Sequence, residues 1–139
     1  MDNSNNYAMT KIEVLIIEDN AEILENIAEL LELEGFNIKT ASCGEDGLQM
    51  AFSQIPDMII SDIMMPGVDG YQLLKEINKN PDTNRIPFIF VTAKAEKSER
   101  KEGLKLGADA YIIKPFKTED LIRMIYNCLE KKSYLSNSS

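Results

Sequence analysis

The sequence predicts an α/β fold: a doubly wound parallel sheet built from five strand–helix units. Three observations predict it. Five short apolar runs recur along the chain, and each is followed by a stretch with helical period. The runs are near-continuously apolar, as strands covered by helices on both faces must be. The 139 residues suit one domain with a full core but are too few for an eight-unit barrel. An open sheet remains, and such sheets bind ligands at the carboxyl ends of their strands.

Each element has its own local cause. Lys11–Ile17 is the first strand. Ala21–Glu34 is an amphipathic helix with Ile23, Ile27, Leu30 and Leu31 near helical spacing, and Gly35 suits its terminus. Asn37–Ala41 is a short second strand. The next helix, Glu45–Gln54, ends at the Ile55–Pro56 step, because a residue before proline disfavours helix. Met58–Asp62 is the third strand and Tyr71–Asn78 the third helix, with a loop at Asn80-Pro81-Asp82. Phe88–Thr92 is the fourth strand. The fourth helix spans Glu96–Leu106 and is capped by Gly107. Ala110–Ile113 is the fifth strand, and the fifth helix runs from Thr118 to Lys131 with Thr118 as its expected N-cap. No internal repeat or low-complexity segment interrupts the pattern.

Composition removes several functions. Lys+Arg number 15 and Asp+Glu 23, for a net charge of −8, so a sequence-independent hold on a phosphate backbone is disfavoured. No apolar run approaches the roughly 18 residues of a membrane span. Residues 1–10 are polar and read as a flexible lead, not a secretory signal. Residues 11–131 form the domain, and 132–139 read as a polar tail or the start of a linker. These features together point to the cytoplasm. Cys43 and Cys128 lack metal or redox spacing and read as reduced structural thiols. The chain has no histidine, which removes His-based general-base chemistry and any histidine phosphoacceptor of its own.

The strand ends carry the chemistry. Val14–Ile17 leads into Glu18-Asp19, Met58–Ser61 into Asp62, Phe88–Val91 into Thr92-Ala93, and Ala110–Ile113 into Lys114-Pro115. In a parallel sheet these ends meet on one edge. Three carboxylates there repel one another unless a cation relieves them. A few oxygen ligands completed by water favour Mg²⁺ over Ca²⁺. Glu18 and Asp19 also suit the start of the following helix, as does Asn20, and the two roles are compatible. Lys114 closes the site from the fifth strand, and the Lys114–Pro115 bond is a candidate cis peptide. Thr92 can donate to an anion or simply end a β-strand.

These residues, in this order, carry a family resemblance. Glu18-Asp19, Asp62 with Met65-Pro66-Gly67-Val68-Asp69-Gly70, Thr92-Ala93, Gly107-Ala108-Asp109-Ala110-Tyr111 and Lys114-Pro115-Phe116 resemble the receiver domain of two-component response regulators, chemotaxis receivers included. The resemblance covers Lys11 to Lys131. It implies a flavodoxin-like sheet with strand order 2-1-3-4-5. It implies that Asp62 accepts a phosphoryl group from a histidine of a partner sensor kinase or phosphotransfer protein. Mg²⁺ would be held by Glu18, Asp19, Asp62 and the Met64 carbonyl. Lys114, Thr92 and the Ala93 N–H would take the phosphoryl oxygens. The switch would run through Thr92 and Tyr111 to the face made by the fourth helix, fifth strand and fifth helix, where a downstream protein effector reads it. The chain would be a signalling receiver, catalysing only its own phosphorylation and slow dephosphorylation.

Departures from the pattern sharpen the expectations. Glu18 stands where Asp is more frequent and reaches further. Met64 and Lys94 flank the phosphoryl site, and apolar Met64 is unsuited to orienting an attacking water. Arg100 and Asp120 could form one intersubunit pair, whereas Ala110 and Met124 cannot form a second, so a monomer or weak dimer is expected. An Asp-nucleophile Mg²⁺ phosphatase would want a second carboxylate at position 64. A flavodoxin-like cofactor binder would want a phosphate loop where Asp19-Asn20-Ala21-Glu22 stands. A phosphorylation-independent interaction module would have no need of all these site residues.

Overall fold

The apolar runs become five strands, alternating with helices. The computed structural model describes residues 11–93 and 105–138, with side chains through Lys132. In chain order these hold β1 (Glu13–Ile17), α1 (Ala21–Glu34), β2 (Asn37–Ala41), α2 (Gly44–Ser53), β3 (Met58–Ser61), α3 (Gly70–Lys79), β4 (Phe88–Thr92), β5 (Ala110–Ile113) and α4 (Thr118–Ser138). The helix expected at Glu96–Leu106 lies, except for Lys105 and Leu106, outside the described residues, as do residues 1–10. α4 is therefore the fifth helix of the sequence pattern.

All strands pair in parallel, in the order β2-β1-β3-β4-β5. This is the doubly wound order that the resemblance implies. Alternation along each strand divides the core into two faces. Leu15, Ile17, Ile59, Phe88 and Phe90 pack against Ala51 of α2 and Leu73, Leu74 and Ile77 of α3. Val14, Ile16, Met58, Ile60, Ile89, Val91 and Ile112 pack against Ile27 and Leu31 of α1 and Leu121, Ile125 and Cys128 of α4. The central strands β3 and β4 are buried throughout, which is why their sequences show no polar alternation.

Helix ends follow their capping residues. The Asn20 side chain accepts the Ile23 N–H at 3.1 Å, so Asn20 caps α1. At the other end Gly35 takes φ +108°, and the Phe36 N–H donates to the Leu31 carbonyl at 3.1 Å. Asp69 and Gln72 form a reciprocal capping box at α3. Two expectations about α4 differ. Its opening carbonyl belongs to Lys117, which accepts from Leu121 N–H at 3.3 Å, so Thr118 is the first helical residue and not the cap. The helix also continues past Lys131 to Ser138, because no glycine or proline stops it. β3 ends at Ser61, so Asp62 stands in the following loop.

Both cysteines are free, Cys43 half-buried and Cys128 buried. Burial pushes the Cys128 thiol up to about 11, so near neutral pH it stays protonated and packs as an apolar group. Leu74 tests the layer formed by α2 and α3, since it is buried between α3 and the sheet. Leu74→Ala is expected to cost about 2–5 kcal/mol, read as a lower urea midpoint with unchanged slope. A midpoint equal to wild type would contradict the packing.

Candidate functional site

Register decides which side chains meet. Ile17 pairs with Ser61, so Glu18 and Asp62 follow their strands on the same rung. The Asp62 N–H donates to Ile17 O at 3.0 Å, and the Glu18 N–H to Ala41 O at 3.1 Å. On the other side Thr92 pairs with Ile113, and the Lys114 N–H donates to Thr92 O at 2.8 Å. The ladder thus extends one residue past each strand and fixes the backbone of the acids and the lysine. The Lys114–Pro115 peptide is cis, as anticipated.

The side chains converge on one crevice. Glu18, Asp19 and Asp62 each offer an oxygen, and these atoms lie within 4.8 Å of one another. Lys114 Nζ donates to Glu18 Oε1 at 2.7 Å and to Asp62 Oδ2 at 3.5 Å. The second Glu18 oxygen accepts the Asn20 N–H at 3.1 Å. Asp62 Oδ1 accepts the Ile63 N–H at 2.7 Å. Glu18 is only 3% exposed and Asp62 9%, whereas Asp19 faces solvent. Burial raises the Glu18 carboxyl above its usual range; the Lys114 and Asn20 hydrogen bonds pull it down, and the charge of Asp62 adds to the rise.

An all-oxygen donor set with one partly exposed edge fits a hard divalent cation completed by water, as Mg²⁺ prefers. Asp62 Oδ2 faces the Lys114 ammonium. A carboxylate so placed can act as a ligand or as a nucleophile.

The other predicted site residues sit around this centre. Thr92 is buried at the end of β4, and Ala93 follows it, exposed. Met64 is 56% exposed, two residues beyond Asp62. Tyr111 is half-buried on β5, paired in register with Phe90, and their rings are 6.2 Å apart in edge contact. Phe90 and Thr92 are two residues apart, so Tyr111 and Thr92 project from the same face of neighbouring strands. Lys94 and Arg100 lie outside the described residues. Asp120 pairs with Arg123 at 3.3 Å within its own helix.

Sequence reasoning missed the residues that shape the loop after Asp62. A Cβ on Gly70 would lie 2.4 Å from the Asp62 carbonyl oxygen and 2.8 Å from Ile63 Cα. A Cβ on Gly44 would lie 2.2 Å from the Val68 carbonyl oxygen. The loop from Ile63 to Asp69 is therefore clamped between the first residues of α2 and α3. In the sequence Gly70 enters only as the last residue of the motif Met65-Pro66-Gly67-Val68-Asp69-Gly70. Asp109 was quoted only as part of a motif. Its Oδ2 accepts the Phe88 N–H at 2.8 Å, which ties β4 to the turn before β5.

Fold and site together define a doubly wound α/β domain with an acid-and-lysine crevice at its carboxyl edge. The response regulator receiver domain family matches residues 14–126, and the chain belongs to that family. It is 35% identical over 119 residues to the phosphate regulon transcriptional regulatory protein of Rhizobium meliloti, covering 86% of this chain and 52% of that protein. The chain spans about half the length of the curated relatives it matches. A response regulator receiver domain protein of Clostridium thermocellum superposes with TM-score 0.83 and 32% identity, covering 89% of this chain and 98% of that one. The receiver domain of a sensor histidine kinase from Pseudomonas aeruginosa, with a magnesium ion coordinated in its active site cleft, gives TM-score 0.81 and 30% identity over 87% of this chain and 99% of that one.

Gly70→Ala tests the clamp. The clash is with backbone, which cannot turn aside, so a loss of about 1–3 kcal/mol is expected in urea unfolding, together with weaker Mg²⁺ binding. Wild-type values for both would show that the loop is free to shift.

Proposed function

We propose that this receiver domain takes a phosphoryl group onto Asp62 from a phosphohistidine of a partner protein, with Mg²⁺ as cofactor. The observation that carries the proposal is the convergence of Glu18, Asp19, Asp62 and Lys114 on one crevice. Attack by an Asp62 oxygen forms the O–P bond and breaks the donor's P–N bond. The leaving imidazole keeps the electron pair and takes up a proton from solvent. When bound, Mg²⁺ neutralises charge on the phosphoryl oxygens; Glu18, Asp19, Asp62 and the Met64 carbonyl would hold it. Lys114 pairs with a second phosphoryl oxygen, and the Thr92 hydroxyl and Ala93 N–H serve the third. The missing histidine fits this role, since the donor comes from elsewhere.

The test is intact mass after incubation with acetyl phosphate. A hydroxylamine-labile phosphoryl adduct is expected in wild type with Mg²⁺, and none without the metal or in Asp62→Asn. An equal adduct in Asp62→Asn would move the acceptor to another residue.

Thr92 and Tyr111 form the proposed switch. Thr92 turning toward the phosphoryl group vacates space on the face it shares with Tyr111, and the aromatic ring moves into it. Such a change shifts an existing equilibrium only by contacts better made in the phosphorylated state. Thr92→Ala is therefore expected to keep Asp62 phosphorylation while weakening effector binding; unchanged effector affinity would count against the switch. Met64 governs the lifetime. Its apolar, exposed side chain gives an attacking water nothing to hydrogen-bond. Met64→Asn is expected to shorten the phosphoryl half-life severalfold, and a longer half-life in that variant would contradict the role.

The partners proposed are a sensor histidine kinase or histidine phosphotransfer protein on the input side and a protein effector on the output side. Direct nucleic-acid contact is disfavoured by the net charge of −8. Among the described residues no helix is long and apolar enough to cross a membrane, which agrees with action in the cytoplasm. The domain works as a signalling module whose only catalysis is on itself, as a monomer or weak dimer.

A further inference from the structure

We infer that Met64 is a modification site: hydrogen peroxide oxidises its thioether to the sulfoxide, and the new polar oxygen shortens the life of a phosphoryl group on Asp62. The lifetime effect rests on the proposed phosphoacceptor role of Asp62 and extends it to regulation; the oxidation itself does not. Exposure singles out one sulfur. Met64 is 56% exposed, whereas Met58 is 0% and Met65 7% exposed. Met50 and Met124 are half-buried. Oxidation of a sulfur follows its access to solvent, so Met64 is the first methionine that peroxide meets among the described residues. Of the two thiols, Cys128 is buried and raised to about 11, so near neutral pH it lacks the thiolate that reacts with peroxide. Cys43 is half-buried.

The fold keeps the Met64 sulfur outside. Its neighbours Ile63 and Met65 are buried and anchor the chain on either side of it. The loop cannot turn Met64 inward, because Gly44 and Gly70 hold helix backbone against Val68 and Asp62. The Ile63 N–H donates to Asp62 Oδ1 at 2.7 Å, which ties the loop to the acid. The thioether is thus displayed two residues from the acceptor, at the rim of the crevice.

The oxidation balances with peroxide alone. The sulfur lone pair attacks one peroxide oxygen, so an S–O bond forms and the O–O bond breaks. The leaving hydroxide takes up a proton and departs as water. Sulfur gives up two electrons, and the peroxide is reduced. The product replaces an apolar side chain with a strong hydrogen-bond acceptor. At an exposed position that change loses no buried packing, whereas at Met58 or Met65 the same oxygen would be buried without a partner. The sulfoxide oxygen accepts a hydrogen from a water at the crevice mouth and aims the lone pair of that water at phosphorus. The attack forms a new O–P bond and breaks the P–O bond to Asp62, which leaves as the carboxylate with the electron pair. The proton of the water passes to solvent. Oxidation therefore ends the signal early, and reduction of the sulfoxide by a thiol-dependent reductase restores it.

The test has two arms, both in Cys43→Ser protein to remove the competing thiol. In the first, graded hydrogen peroxide is quenched with free methionine, and peptide mass spectrometry follows the sulfoxide at each methionine. Met64 is expected to oxidise about tenfold faster than Met58 or Met65; equal rates at Met64 and Met65 would overturn the assignment. In the second, oxidised protein is freed of peroxide, loaded from acetyl phosphate with Mg²⁺, and its adduct is followed by intact mass. The half-life is expected to fall about threefold, the worth of one well-placed hydrogen bond, and to recover after treatment with methionine sulfoxide reductase. Met64→Leu treated in the same way is expected to keep the half-life it has before peroxide. An unchanged half-life in protein fully oxidised at Met64, or an equal fall in Met64→Leu, contradicts the regulatory role. Untreated protein that never gains an adduct would defeat the phosphoacceptor reading and the lifetime effect with it, while the peptide rates would still decide whether Met64 is the oxidised residue.

Discussion

One ammonium shared between two carboxylates holds the carboxyl edge of this sheet together. Without Lys114, the buried Glu18 and the nearly buried Asp62 would face each other as like charges in a low-dielectric crevice, where each ion costs several kcal/mol of lost hydration. With it, one carboxylate is paired at 2.7 Å and the other is held at 3.5 Å. The pairing is incomplete, and that is its use. The edge stays negative, with solvent-facing Asp19 beside it, and still has an open claim on positive charge. A site of this kind is folded but electrostatically unfinished, which suits the proposed binding of a cation together with a phosphoryl group.

The rest of the fold serves to keep that edge in place. Parallel pairing sets Glu18 beside Asp62 and Lys114 one residue beyond Thr92. Packing on both sheet faces prevents the strands from slipping, because a one-residue shift would carry every core side chain to the opposite face, away from the helix residues it fits. The loop after Asp62 has little freedom of its own, since Gly70 and Gly44 bring helix backbone against it. In the proposed switch, movement is left to side chains, Thr92 with Tyr111 along one face of β4 and β5. A rigid backbone with a few mobile polar groups transmits a local charge change without unfolding anything.

Much of this was legible in the sequence, for identifiable reasons. Strands such as Phe88–Thr92 are buried on both faces, so they appear as apolar runs, and their ends expose Asp62 and Lys114 as the polar residues that follow. Strand order is not contained in periodicity; it came from the family resemblance, and the structure bears it out. The Thr118 cap was misassigned by one residue because Thr and Lys117 both permit a helix start, and only the carbonyl that accepts from Leu121 distinguishes them. The close approaches of Gly44 and Gly70 were invisible, since a glycine contact across the fold leaves no local pattern. The Glu18–Lys114 pair was equally hidden: 96 residues separate the two, and a glutamate in place of the more frequent aspartate reads as a longer metal ligand before it reads as a partner for the lysine.

The central claim is that Asp62 itself carries the phosphoryl group, and borohydride reduction tests it most directly. Reduction converts an aspartyl phosphate to homoserine, which peptide mass spectrometry locates by residue. The account predicts homoserine at position 62 after treatment with a phosphodonor and Mg²⁺, and aspartate there when either is omitted. Homoserine at another aspartate, or none in protein that carries the adduct mass, would contradict it.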